Sequence, residues 1–252
     1  ALRTVTKKTT TKTYTTYNTE TFGLNGAVYA ESFLNSQVML ATSIDLYFTR
    51  VGSTGDVLLC LCEVTESGAP DFTAIIASVN KPRGQLVASA WNKFSLPPTL
   101  LEQGTRYAWF TVTTGNHQLA TTDGNAFPGG SLFVCTDGAF SQGSVTEDFS
   151  FRLNAARFAA SRTVVPFESA TLEGGMTEIT LLYGNFEPDG TAIAWEVKAE
   201  GRDDWIPIDP RDDNPLTNLP ALVQLRAVLL GTEDIAPAIQ LDTFARVMTG
   251  RM

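Results

Sequence analysis

The chain has 252 residues, 43% hydrophobic and only 18% charged, and at that length folding buries roughly 70% of the surface an unfolded chain exposes, with no need for a disulfide or metal. Aspartate and glutamate number 27 against 18 lysines and arginines, and the resulting formal charge of -9 repels phosphate backbones and anionic lipid, which argues against nucleic acid as a partner. No apolar run approaches the ~20 residues of a membrane span, and scarce charge amid Thr, Ser, Gly and Asn is the balance of an all-β protein.

Residues 1–20, ALRTVTKKTTTKTYTTYNTE, have little to bury and no apolar stretch of the kind a signal peptide needs. They read as a linker or extended arm, or as a strand ordered only by a neighbour. A first domain is expected over 21–160. Its apolar or alternating runs are SIDLYFTRV, DVLLCLCEV, FTAIIASV, NKFSL, TRYAWFTVTT, SLFVC and DFSFRLNAARF. Between them stand GSTGD, SGAPD, KPRG, EQG, TDGN and PGG, whose Gly, Pro, Asp and Asn supply turn geometry. Seven or eight strands so spaced predict an antiparallel β-sandwich of jelly-roll or immunoglobulin-like kind.

Alternation predicts which faces are buried. In SIDLYFTR, Ile44, Leu46 and Phe48 oppose the wetter Asp45, Tyr47 and Thr49. DVLLCLCEV is apolar on both faces, which predicts a central strand covered on both sides. It holds two of the three cysteines, Cys60 and Cys62, on one face; the third is Cys135. Adjacent same-strand thiols bridge poorly and the count is odd, so all three are read as buried, reduced side chains.

AASRTVVP, at 159–166, reads as a hinge, followed by a second, smaller β-sandwich domain over 161–252. There Ile193, Trp195, Val197 and Ala199 share one face, as do Val223, Leu225, Ala227 and Leu229. The one helix candidate, LDTFARVM, is short and reads equally as a last strand.

AVYAESFLNSQVMLATSIDLYFTRVG, VLLCLCEVTESGAPD, KFSLPPTLLEQGTRYAWFTVTT and NAFPGGSLFVCTDGAF follow one another in an order that resembles β-sandwich modules of tailed-bacteriophage tail-fibre and baseplate proteins. The matching positions are Ser32–Phe33, Thr42 to Phe48, Glu63 to Pro70, Phe94 to Tyr107 and Gly129 to Gly138, roughly half of the chain. Ser32 stands where the pattern has Gln, and Phe140 where it often has Trp. AIAWEVKAEGRDDWIPID and LPALVQLRAVLLGTEDIAPAI resemble further phage tail modules more loosely. The resemblance implies a virion structural or host-recognition protein, assembled in bacterial cytoplasm. Its partners would be host polysaccharide or receptor and other tail proteins, with a homotrimer as the assembly to test.

Catalytic patterns are weak. His117, the only histidine, has no G-x-S-x-G elbow to serve and reads as a polar loop residue. Glycosidases need a carboxylate pair across a sugar, and no local motif singles one out among Glu63, Glu66, Glu147, Asp148, Glu196 and Glu200. TTDGN and IDPRDDNP carry oxygen ligands yet lack the closing Glu of a calcium loop, so they read as solvated turns, and no metal or cofactor is expected. Sugar recognition needs flat aromatic faces beside planar polar groups. The turn-rich span TTGNHQLATTDGNAFPGG supplies Asn116, His117, Gln118, Asp123, Asn125 and Phe127, and Trp91 and Trp205 adjoin turns where a face can show. Trp109 and Trp195, inside strands, are expected in the core.

Overall fold

The structure is a computed structural model that describes residues 13–16, 28–124, 126–135, 138–240 and 246–250, with 13–16 and 246–250 described by backbone alone. It is all-β with several antiparallel sheets, and no α-helix occurs among the described residues. Two compact units divide the chain, Ala1–Ala156 and Arg157–Met252.

In the first unit the strands are β1 (Thr13–Thr16), β2 (Val28–Leu34), β3 (Met39–Arg50), β4 (Val57–Val64), β5 (Pro70–Lys81) and β6 (Ala90–Leu101). They continue with β7 (Arg106–Thr113), β8 (His117–Asp123), β9 (Gly130–Cys135), β10 (Phe140–Gln142), β11 (Glu147–Phe149) and β12 (Phe151–Ala155). A first sheet runs β1-β8-β3-β12, with β6 also on β3 and β11 on β8. A second sheet runs β10-β9-β2-β7-β4-β5. Within the arm read from the sequence, only β1 is described; it pairs with His117 to Ala120 of β8.

The main core draws side chains from both sheets: Ile44, Leu46, Phe48 and Phe94 from the first, Leu59, Leu61, Tyr107 and Trp109 from the second. Alternation on β3 is realised as read, with Ile44, Leu46 and Phe48 buried and Asp45, Tyr47 and Thr49 half-buried. Strand β4 lies between β7 and β5 and is covered on both sides. Leu59 and Leu61 enter the main core, while Cys60 and Cys62 join Ala30, Ala108, Phe110 and Phe133 in a second cluster on the opposite face. Phe140 and Phe72, stacked at 4.4 Å, border that cluster through Phe110. All three cysteines are free and buried, and burial pushes the Cys60 thiol up to about 11 and the Cys62 thiol to about 12.

In the second unit the strands are β13 (Arg162–Pro166), β14 (Ala170–Thr171), β15 (Glu178–Leu182), β16 (Gly184–Phe186) and β17 (Ala192–Ala199). After them come β18 (Ile206–Ile208), β19 (Asn214–Pro215), β20 (Leu222–Leu230), β21 (Ala238–Gln240) and β22 (Arg246–Gly250). The largest sheet runs β13-β20-β17-β18, with β14 also on β20; β19-β15-β22 and β16-β21 form two smaller ones. Ile193, Trp195, Val197 and Ala199 lie directly opposite Leu229, Ala227, Leu225 and Val223, so the two apolar faces read from the sequence form one surface. Phe167 stacks on Trp195 and Tyr183 meets its edge at 4.8 Å, closing this core. The segment read as helix or last strand, 241–248, overlaps β22 at residues 246–248; its residues 241–245 lie outside the described residues.

Candidate functional site

The span expected to be a turn-rich loop instead contains a strand, β8, because His117 and Leu119 point into the core while Gln118 and Ala120, which alternate with them, are half-buried. His117 is 1% exposed, and both ring nitrogens are engaged by backbone of the β3–β4 turn. Gly52 N–H donates to Nδ1 at 3.1 Å, which leaves the ring proton on Nε2 to be donated to Gly55 O at 2.8 Å. Burial holds its pKa below the usual histidine range; the Gly55 hydrogen bond opposes this and the Arg83 charge adds to it. Arg83 Nε donates to Gly52 O on the same turn. The turn and the β7–β8 connection approach so closely that a Cβ on Gly115 would meet Thr54 O at 2.2 Å and His117 Nε2 at 2.3 Å. His117 therefore staples two loops and offers no ring nitrogen to a ligand.

Its sequence neighbours scatter. Asn116 is half-buried, and its Oδ1 has no hydrogen-bond partner among the described residues. Gln118 faces Thr15 across the β1–β8 ladder, and Asp123 is exposed opposite Glu147. Asn125 lies outside the described residues.

Trp91 and Phe127, by contrast, line one cleft of about 600 Å³, together with Phe151, Arg152, Asp148 and Met39. Phe127 is placed by a hydrogen bond from its backbone N–H to Asp148 Oδ2, 2.8 Å, and by an edge-to-face contact with Phe151 at 5.7 Å. Trp91 packs edge-on against Tyr47, its cross-strand neighbour, at 5.4 Å. The Arg152 guanidinium lies 4.0 Å from the Trp91 ring centroid, a cation–π contact. Around the indole, Asp45 of β3 has Lys93 and Arg152 directly on either side, and its shielded Oδ1 has no hydrogen-bond partner among the described residues. The cleft lining so combines the aromatic rings of Trp91, Phe127 and Phe151 with the planar Arg152 cation and the Asp148 carboxylate. Arg152 and Tyr47 were missed in the sequence, although Arg152 alternates with Phe151 and Leu153 and its outward direction was there to read.

Behind the cleft wall sits a second carboxylate, Glu31, fully buried on the same face of β2 as Tyr29 and Phe33. Its Oε2 accepts the Phe149 N–H at 3.0 Å, and its Oε1 has no partner among the described residues. Burial raises its pKa to about 8, with the nearby Asp148 charge adding to the effect and the Phe149 hydrogen bond opposing it. A raised carboxyl beside a second one is a glycosidase pattern, but a general acid has to touch the glycosidic oxygen. Glu31 lines no part of the cleft. Together the two carboxylates hold backbone: Asp148 takes the N–H of Phe127, and Glu31 that of Phe149.

Trp205 belongs to the second unit, where Arg226 covers it at 4.0 Å and bonds Glu196 Oε2 at 2.5 Å. In IDPRDDNP the side chains serve the turn itself. Asn214 accepts from Asp209 N and donates to the carbonyls of Asp209 and Asp212, and Asp213 accepts from Thr180. Among the described residues no three His, Cys, Asp or Glu side chains gather as a metal site requires. Compared with protein-family models and with curated proteins, the chain matches none.

Proposed function

We propose that this chain is a non-catalytic module of a tailed-bacteriophage tail fibre or baseplate, whose larger unit binds host-surface glycan or receptor at the Trp91–Phe127 cleft. On this reading both units are antiparallel β-sandwiches of jelly-roll-like or immunoglobulin-like kind, and the first is like a carbohydrate-binding module. The protein resides in the virion after assembly in host cytoplasm, beside other tail proteins. The observation that carries the proposal is that two aromatic residues far apart in sequence meet in one cleft with Arg152 and Asp148. A sugar uses such a surface through its C–H face on the rings and its hydroxyls on the planar polar groups. The ordered motifs from Ser32 to Gly138 supply the phage context.

A purely structural scaffold is the second reading, and the Arg152 guanidinium already seated on Trp91 favours it, since that face of the indole is occupied. Glycan cleavage is a third; reducing ends released from host polysaccharide would establish it. Cell binding and a glycan array with host polysaccharide separate the first two. If the cleft is the site, Trp91→Ala and Phe127→Ala each weaken binding by about tenfold or more while the circular dichroism spectrum is kept. Absence of binding by the wild-type protein, or binding indifferent to both substitutions, removes the adhesion reading.

A further inference from the structure

Strands that end a sheet offer a row of unpaired N–H and C=O groups, and proteins blunt them with short length, proline or cover. Most described edges of this chain are blunted. In the second unit no edge strand exceeds the five residues of β13 and β22. In the first unit the second sheet ends on one side at β10, three residues long. The first sheet's long edge strand, β6, carries Pro97 and Pro98, which have no N–H to give a neighbour.

Strand β5 is different. It runs twelve residues, PDFTAIIASVNK, ends the second sheet, and pairs with no described strand other than β4. After Pro70 it contains no proline. Three large apolar side chains along it stay exposed: Phe72 at 37%, Ile75 at 45% and Ile76 at 37%. The register with β4 breaks twice, between Ile75 and Pro70, which pair with Cys62 and Val64, and at Ile76, the extra residue of a bulge between Ala77, opposite Leu61, and Ile75, opposite Cys62. Ile76 is thereby committed to no partner on β4.

We infer that β5 is a self-recognition edge, at which two copies of this chain pair antiparallel and join their second sheets across a two-fold axis. The charge pattern selects this occupant. Asp71 stands at one end of the strand and Lys81 at the other. An antiparallel register centred on Ile76 sets each Asp71 opposite Lys81 of the second copy, twice per dimer, whereas a parallel, in-register copy would oppose like charges. The same register brings the two Ile76 side chains together at the axis and sets Ile75 beside Ala77. Lys81 Nζ is anchored at the end of the strand by donating to Lys93 O at 2.8 Å, and an ammonium keeps two further N–H groups for a carboxylate. Asp71 is oriented by hydrogen bonds from Thr73 N and Oγ1. Such a contact is isologous and closes at two. One strand edge is a small interface, so the dimer is reversible and concentration-dependent.

Sedimentation equilibrium of the full chain over a concentration series tests this. The wild-type protein shows a monomer–dimer equilibrium, and Ile76→Lys, which sets two like charges at the axis, raises Kd by at least about tenfold. Asp71→Lys and Lys81→Asp each weaken the dimer by about tenfold, and the double exchange Asp71→Lys/Lys81→Asp restores it. Circular dichroism confirms that each variant stays folded. A monomer at every concentration overturns the inference. So does a trimer, or a dimer that ignores Ile76→Lys and does not follow the charge exchange.

Discussion

Raising the pH from 5 toward 9 is expected to cost the first unit several kcal/mol of stability, on the order of 4, and Glu31→Gln is expected to remove that loss. The folded state holds the Glu31 proton until about pH 8, whereas the ordinary value is 4.5. Between those values the fold binds a proton that the unfolded chain has released, so the stabilising contribution is fully present below 4.5 and is lost as pH rises through about 8. Above that, the fold carries an ionised carboxylate with one oxygen unpartnered, at a position with no exposure to water. Glutamine keeps the shape and an oxygen to accept the Phe149 N–H, and cannot ionise. Amide exchange on β2 and β7 reports this unit separately from the other. Protection that falls with pH in the wild type and stays level in Glu31→Gln is the expected result; equal slopes in the two proteins would exclude it.

His117→Ala is the second large effect, with an expected loss of ~2–4 kcal/mol. It deletes a buried ring, strands the Gly52 N–H and the Gly55 carbonyl, and unties the β3–β4 turn from β8. Its pH signature is opposite to that of Glu31. A histidine whose folded pKa is depressed stabilises fully above its ordinary value of 6.5, and the contribution is lost as pH falls through the lower folded value. The wild-type turn at 51–56 should therefore lose exchange protection in acid, and His117→Ala should lack it at neutral pH as well. A variant that melts with the wild type and keeps the turn protected would show that the staple contributes nothing.

Side-chain alternation made much of the fold legible. The faces assigned to 193–199 and 223–229 are the faces that meet in register, and the two-sided apolar run at 57–64 is the covered central strand. Both cases need only the two-residue period of a strand. Strand β8 was hidden because only two of its seven residues, His117 and Leu119, are buried, and its Thr and Gln positions read as loop. Glu31 was hidden differently. The alternation of Tyr29, Glu31 and Phe33 sends it inward, but a carboxylate is the last residue expected there, and the Phe149 N–H that helps hold it comes from a strand 118 residues away. The cleft was half legible. Trp91 and Phe127 were chosen for type and turn context, but that they share a wall follows from the pairing of β12 with β3 and of β11 with β8, which no local pattern encodes.

The shielded cysteines bear on the life of the protein outside a cell. Thiolate is the species that oxidises, and a thiol titrating near 11 is ionised to about one part in ten thousand at neutral pH. Cys60 and Cys62 sit on one strand behind Phe110 and Phe133, and no described cysteine is exposed. On the reading proposed above, the protein is made where glutathione keeps thiols reduced and used where oxygen does not. A chain stabilised by disulfides would have to change its covalent structure on that journey. This one can leave a lysed cell with the same bonds it folded with.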